Sequence, residues 1–404
     1  MTRTSTGLCS RTWVLDAPVD PLAALGRGGF AWFAEGFGLA TSGMAARVPA
    51  ADAPAALAAI AGDDPLSGPG TGPLAVGALG FDGRGDLVIP ARITGRTPDG
   101  LSWVTEVGPA DEDVEAWPAA PLPPPGGVDR QAWTAAVTEA LARIGDGRLA
   151  KVVLAREVTV DVDRPLRVAG VVGRLRREQP SCFTYATGSY VGSSPELLAR
   201  RRGADVVSRP MAGTVAQGGT PGDDRRLVAA MAASAKEQAE HRLVVDDVRG
   251  KLRTLCGRPC DVLGPEVVRL STVAHLATTV QCRLRPPAVS AVALAALLHP
   301  TPAVAGVPER AALAAIAELE GFDRGLYAGP VGWVDARGDG DWAVALRGAT
   351  LDGTRARLMA GAGIVAGSDP DAEWEETEAK LAAMRMALAP ERPADGQPAS
   401  GSKR

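Results

Sequence analysis

The chain has 404 residues, of which 46% are hydrophobic and 22% charged, enough apolar material to bury a large core. A net charge of −4 without a dense Lys/Arg run excludes the electrostatic footprint of a nucleic-acid binder, and the short Arg200-Arg201-Arg202 stretch reads as a strand end. No segment approaches the roughly 20 apolar residues of a membrane span, and MTRTSTGLCSRTWVLDAPVD lacks the apolar core of a secretion signal, so a cytoplasmic chain with a small-molecule substrate is expected.

Residues 1–105 carry strand-like runs, GGFAWFAEGFGLATSG and PLAVGALGFDG, with an alanine-rich helical stretch around Ala51 to Ala61 between them. Residues 106–129, ending in PAAPLPPPGGVD, have little periodicity and read as a stiff exposed connection. The motif-bearing part follows over 130–389. Its pattern predicts a helix over 131–144, a strand over 151–162, a helix over 166–178, and strands over 182–187, 190–193 and 199–209. One long helix is predicted over 223–255, then strands over 266–273 and 278–284 and helices over 289–298 and 308–320. Strands over 329–335, 342–351 and 356–360 precede a last helix over 371–389. The breaker-rich tail, 390–404, reads as disordered. Gly77–Asp82 echoes Gly329–Asp335, and Phe30–Phe33 echoes Phe183–Tyr185, which favours a pseudo-symmetric core of two sheets in one integrated domain, 1–390.

Chemistry-bearing residues are sparse. Glu237 with Glu240 in KEQAEH, and Glu373 with Glu376 in EWEETEAK, each have the spacing that puts both carboxylates on one helix face. Such pairs usually mark a solvated surface. The second pair, however, follows LMAGAGIV and Ser368-Asp369-Pro370, which read as a strand, a glycine turn and a capped helix start, with Lys380 one turn further along the same face. Four converging acids call for a hard cation, and Mg2+ is the natural candidate.

Lys151 opens the strand KVVLAREV and can project at a sheet end, while the turn GSSPELL presents Glu196. Gly213-Thr214 in RPMAGT and Gly361-Ala362-Gly363 offer unobstructed backbone N–H groups, although a bulge or tight turn explains such glycines equally well. Arg347 in VALRGAT sits among apolar residues and needs an anion, from a ligand or from an internal Glu. His241, His275 and His299 show no zinc spacing, and no triad order or Walker loop surrounds them. The five cysteines, Cys9, Cys182, Cys256, Cys260 and Cys282, are too few and irregular for a disulfide framework; Cys256 with Cys260 makes at most half a metal site, and packing thiols are the expectation.

Taken in order, KVVLARE, VGSSPELL, RPMAGT, KEQAEH, HLATT, LHPTPAVAGVP, ELEGFDRGLYAGPVGW, LRGA and AGAGIVAGSDPDAEWEET resemble the chorismate-utilising enzymes, and among them the isochorismate synthases, over about 150–388. The resemblance implies an α/β (α+β) domain of two packed antiparallel-rich sheets ringed by helices, with the active site between them. It further implies Mg2+ held by Glu240 and Glu376 directly and by Glu237 and Glu373 through water. Lys151 becomes the general base that activates water, and Glu196 the general acid. Arg347, Lys380, Gly213, Thr214, Gly361 and Gly363 become chorismate contacts, with His275, Ala303, Val304, Tyr327, Leu346 and Met359 at lining positions. A base role requires an uncharged amine at neutral pH, and the acid role a carboxyl held protonated.

Ammonia-using relatives lack a lysine at this place, so water is the implied nucleophile and no glutamine amidotransferase partner is expected; a monomer is compatible with these features. Ala303 in HPTPAVAG resembles the isochorismate-type pocket. A salicylate synthase, which goes on to eliminate pyruvate, and a non-catalytic chorismate binder are the alternatives. No redox cofactor is implied, and partner enzymes, not this chain, would set whether the product serves siderophore or menaquinone synthesis.

Overall fold

The structure is a computed structural model that describes residues 7–108, 127–217 and 220–389. Most of the predicted connection and the whole predicted tail lie outside the described residues. The strands are β1 (Cys9–Val14), β2 (Phe30–Ala34), β3 (Phe37–Pro49), β4 (Ala61–Asp63), β5 (Leu74–Ala78), β6 (Asp86–Arg96), β7 (Ser102–Val107), β8 (Lys151–Asp161), β9 (Phe183–Thr187), β10 (Tyr190–Ser194), β11 (Leu197–Arg202), β12 (Asp205–Arg209), β13 (Met211–Ala216), β14 (Asp261–Arg269), β15 (Val273–Arg283), β16 (Gly306–Val307), β17 (Pro330–Asp335), β18 (Gly340–Val344), β19 (Gly348–Asp352) and β20 (Arg355–Val365). The helices are α1 (Ala53–Ala58), α2 (Arg130–Gly145), α3 (Val168–Glu178), α4 (Pro221–Ala233), α5 (Ala235–Arg253), α6 (Ala291–Leu298), α7 (Glu309–Leu319) and α8 (Pro370–Leu388). None among the described residues is long and apolar enough to cross a membrane.

All twenty strands belong to one ladder, and the two sheets anticipated from the sequence are its two arms. The long strands β3 and β6 pair with each other and form the junction. One arm continues from β6 through β5, β17, β18, β11, β12 and β15, with β13 and β14 beside it. The other continues from β3 through β2, β9, β10, β19, β20 and β8 to β16. The chain passes between the arms several times, and two of these crossings, from β10 to β11 and from β18 to β19, are made within a few residues from one strand directly into the next. Of the sequence echoes, β5 lies against β17 and β2 against β9, so the similar segments are antiparallel neighbours within an arm.

Helices cover the outer faces and close several apolar clusters. Trp32 and Trp333 are sealed in one, Trp342 packs with Leu294 and Leu298 of α6 in another, and Trp133 of α2 packs with Leu154, Ala362 and Ile364 in a third. In β8 and β20 this last cluster takes Val152, Leu154, Ala362 and Ile364, so strand alternation turns Lys151, Val153, Gly361 and Gly363 to the opposite face.

Five sequence expectations are corrected. The single strand at 199–209 is the hairpin of β11 and β12, which turns at Gly203 with φ +59°. The single helix at 223–255 is broken at Ser234, whose extended backbone ends α4 and whose side chain caps α5. The segment 342–351 is divided by Leu346 and Arg347, the latter at φ +49°. Gly361 and Gly363 lie within β20, and the turn comes later, at Gly367. Cys256 and Cys282 are not isolated packing thiols: their sulphurs touch, and the Cys260 sulphur lies within 4.8 Å of both. In addition, β7 extends to Val107, into the segment read as connection.

Candidate active site

The two short crossings, β10 to β11 and β18 to β19, meet. At the first, Ser194-Pro195-Glu196 carries the chain from β10 to β11; at the second, Leu346-Arg347 carries it from β18 to β19. Val344 N donates to Glu196 O at 3.2 Å and Ser193 N donates to Arg347 O at 3.3 Å, so the crossings are stitched together. A switch of sheet interrupts strand alternation, and that frees the Glu196 and Arg347 side chains to enter the space between the arms. A cavity lined by residues of both arms occupies this space.

Every substrate, acid and base candidate from the sequence lines it: Lys151, Glu196, Gly213, Thr214, His275, Ala303, Val304, Tyr327, Leu346, Arg347, Met359, Gly361, Gly363 and Lys380. Glu240 and Glu376 line it as well, whereas Glu237 and Glu373 do not. Sequence reasoning missed Arg324. Its guanidinium, 2% exposed, is paired with Glu320 and donates to Val304 O and Val153 O at 2.8 Å, while Glu320 accepts from Ala155 N at 2.7 Å. This buried pair ties the strand bearing Lys151 to the turn bearing Ala303. Its signal was the i, i+4 spacing of Glu and Arg in ELEGFDRG.

Lys151, 1% exposed, forms a 2.9 Å salt bridge from Nζ to Glu240 Oε1. Gly363 makes room for this pair, since a Cβ there would fall 2.6 Å from Glu240 Oε1 and 3.1 Å from Lys151 Cε. Burial pushes the Glu196 carboxyl up to about 8, against the opposing pull of the Met211 N–H and of Lys151, Lys380 and Arg347, so it holds its proton at neutral pH.

Burial pushes the Arg347 guanidinium down, and among the described residues it has no carboxylate salt bridge. Its Nη2 meets His275 Nε2 at 2.5 Å. Arginine only donates, so that ring nitrogen accepts and the proton belongs on Nδ1, which donates to Gly213 O at 3.1 Å. Burial, then Arg347 and Lys380, drive the His275 pKa well down and keep the ring neutral. The result is a buried guanidinium held by neutral groups and open to an anion.

The acids come from two helix starts. Ser234 accepts from Glu237 N, which places Glu237 in the first turn of α5 and Glu240 one turn on. Asp369 caps α8 by accepting from Asp371 N and Ala372 N, which sets Glu373 and Glu376 in its early turns. Gly213 sits at a bulge of β13 with φ +76°, and a Cβ there would come within 3.0 Å of Glu237 Oε2, the oxygen that accepts from Thr214 N at 3.2 Å.

Burial, followed by Glu240, raises the Glu237 carboxyl, and burial with Glu376 raises Glu373 to about 7. Lysines balance the charge: Lys380 with Glu376 at 2.7 Å and Lys236 with Glu373 at 3.8 Å, besides Lys151 with Glu240. Burial opposes the charge of Lys380, but Glu376 outweighs it and lifts the amine above its ordinary value. Among the described residues no three of these carboxylates bring oxygens within 4.8 Å of one another. The set is all oxygen, mutually repelling and partly desolvated, and that chemistry fits a hard divalent cation.

Residues 116–389 match the chorismate binding enzyme family. A Mycobacterium tuberculosis (strain ATCC 25618 / H37Rv) protein carrying the name MenF is 42% identical over 341 residues, covering 79% of this chain and 87% of that protein. Isochorismate synthase DhbC of Bacillus subtilis (strain 168) is 37% identical over 336 residues, with 78% and 81% covered. Among solved structures, MenF, the menaquinone-specific isochorismate synthase from Escherichia coli, superposes with a TM-score of 0.79 at 28% identity over 96% of both chains. With more than half of its length matched and relatives this similar, the chain belongs to the chorismate-binding enzyme family.

Proposed function

We propose that this chain is an isochorismate synthase that adds water at C2 of chorismate as the C4 hydroxyl departs. The observation that carries the reading is one cavity in which a buried lysine and a protonated buried glutamate share a wall with an arginine that, among the described residues, has no carboxylate salt bridge. Lys151 Nζ takes a proton from water as the oxygen–C2 bond forms, the ring double bonds shift, and the C4–oxygen bond breaks. Glu196 gives its proton to the departing oxygen, so the hydroxyl leaves as water and no electron is gained or lost overall. Each transfer is the kind of proton step that contributes about 100- to 10,000-fold.

Arg347, positioned through its contact with His275, binds one substrate carboxylate, while Lys380 and the backbone at Gly213, Thr214, Gly361 and Gly363 orient the remainder. Glu240 and Glu376 would hold Mg2+, with Glu237 and Glu373 supporting it through water; when bound it would neutralise the second carboxylate. Glu240 also pairs with Lys151 at 2.9 Å, so one carboxylate faces both the amine and the position proposed for the cation. Water as nucleophile calls for no ammonia-delivering subunit.

Incubating the purified chain with chorismate and Mg2+ and separating the products by chromatography tests the reading. Isochorismate as the product supports it. Salicylate with pyruvate would reassign the chain to the lyase branch, and no turnover at all would leave it a chorismate-binding protein.

A further inference from the structure

Away from the cavity, three cysteines converge. Cys256 follows the C-terminal end of α5, Cys260 lies four residues on, just before β14, and Cys282 belongs to β15. The strand pairing causes the convergence: Cys256 bridges to Leu284 across from β15, and Gly257 N donates to Arg283 O at 3.3 Å, so the loop folds back over Cys282. The three Sγ atoms all lie within 4.8 Å of one another, the only such group of His, Cys, Asp and Glu ligand atoms among the described residues. From Glu240 to Arg253 the helix runs about 20 Å at about 1.5 Å per residue, so this cluster is separate from the acids of the cavity.

We infer that Cys256, Cys260 and Cys282 form a three-thiolate site for a thiophilic d10 cation of the Zn2+ type. Three observations carry this. A Cys256–Cys282 disulfide accounts for two sulphurs and leaves Cys260 beside them unexplained, whereas a tetrahedral cation with sulphurs at about 2.3 Å gathers all three. The spacing Cys256-Gly257-Arg258-Pro259-Cys260 falls in the range of two to four intervening residues that zinc knuckles use. Finally, Cys256 is buried while Cys260 and Cys282 are partly open, and a groove lined by Gly257, Pro259, Asp261 and Cys282 gives an ion access and leaves the fourth position to solvent. Arg249 and Arg253, which act on Cys260, offset the surplus negative charge of three thiolates. A cation here would pin the end of α5 to the β14–β15 hairpin, and α5 is the helix whose other end presents Glu237 and Glu240.

The test is cobalt substitution of the full chain, purified anaerobically under reductant, together with elemental analysis of the chain as isolated. The expected result is one Zn2+ per chain as isolated. After chelation and loading with Co2+, a thiolate-to-cobalt charge-transfer band should appear that a carboxylate site cannot produce. Cys260→Ser should weaken retention at least tenfold and shift the band. Should that variant misfold, alkylation of the wild-type thiols answers the same question: protection with metal and exposure after chelation are expected. The inference is overturned by a metal-free chain with a Cys256–Cys282 disulfide, by Co2+ bound without the band, or by a folded Cys260→Ser variant with unchanged spectrum and retention.

Discussion

A carboxyl with a pKa near 8 leaves a signature at two levels. Glu196 must be protonated to release the leaving hydroxyl, so kcat should fall as pH rises through about 8. Stability follows the same proton: the free carboxyl ionises near 4.5 and the folded one near 8, so between these values the fold keeps a proton that the unfolded chain has lost. The stabilising proton is fully present below 4.5 and is lost as pH rises through 8. Glu196→Gln should therefore abolish turnover and also gain stability relative to the parent between pH 5 and pH 9, as read by denaturation midpoints; a difference independent of pH would contradict a buried neutral acid. Gly363→Ala should be nearly inactive while still folded, because its methyl must displace either Glu240 or Lys151. Glu240→Gln should raise the Mg2+ concentration needed for half activity by about tenfold or more, and an unchanged requirement would remove Glu240 from the metal.

At the scale of elements, the spacing of Glu237 with Glu240 and of Glu373 with Glu376 was legible because helix periodicity is local. The partner facing each pair was not, because it arrives through the tertiary fold. Ser234 shows how a local signal is overridden: KEQAEH and the residues before it have continuous helix-forming composition, yet the serine ends one helix to cap the next and thereby sets the angle of Glu237. Ser234→Ala should cost about 1 kcal/mol, measured by urea unfolding, and should raise the metal requirement with little change in chorismate affinity. Likewise α8 is fixed to β8 by Arg156, which donates to Thr377 Oγ1 at 2.6 Å, lies 3.7 Å over the Trp374 ring and pairs with Glu378. None of these cross-links has a periodic signature in the sequence.

For the whole molecule, the alternation of strands and helices after 130 was readable, and the motif order carried the family. The strand-level topology was not: short strands of mixed character give no register, and a change of arm at Pro195-Glu196 or at Leu346-Arg347 looks like an ordinary turn or an uninterrupted strand. Those two crossings are what bring an acid and a guanidinium into one cavity with a lysine from β8. Since one ladder joins both arms at β3 and β6, urea unfolding should give coincident transitions by far-ultraviolet dichroism and by fluorescence of the buried Trp32, Trp103 and Trp333. Separate midpoints would mean that the arms fold independently. The central claim, that Lys151 directs water to C2 while Glu196 releases the C4 oxygen, is tested most directly by turnover in heavy-oxygen water with Mg2+ and mass analysis of the product. The account predicts isochorismate with one labelled oxygen, at the C2 hydroxyl, from the parent chain and none from Lys151→Ala; unlabelled isochorismate, or labelled product formed at parental rate by Lys151→Ala, would contradict it.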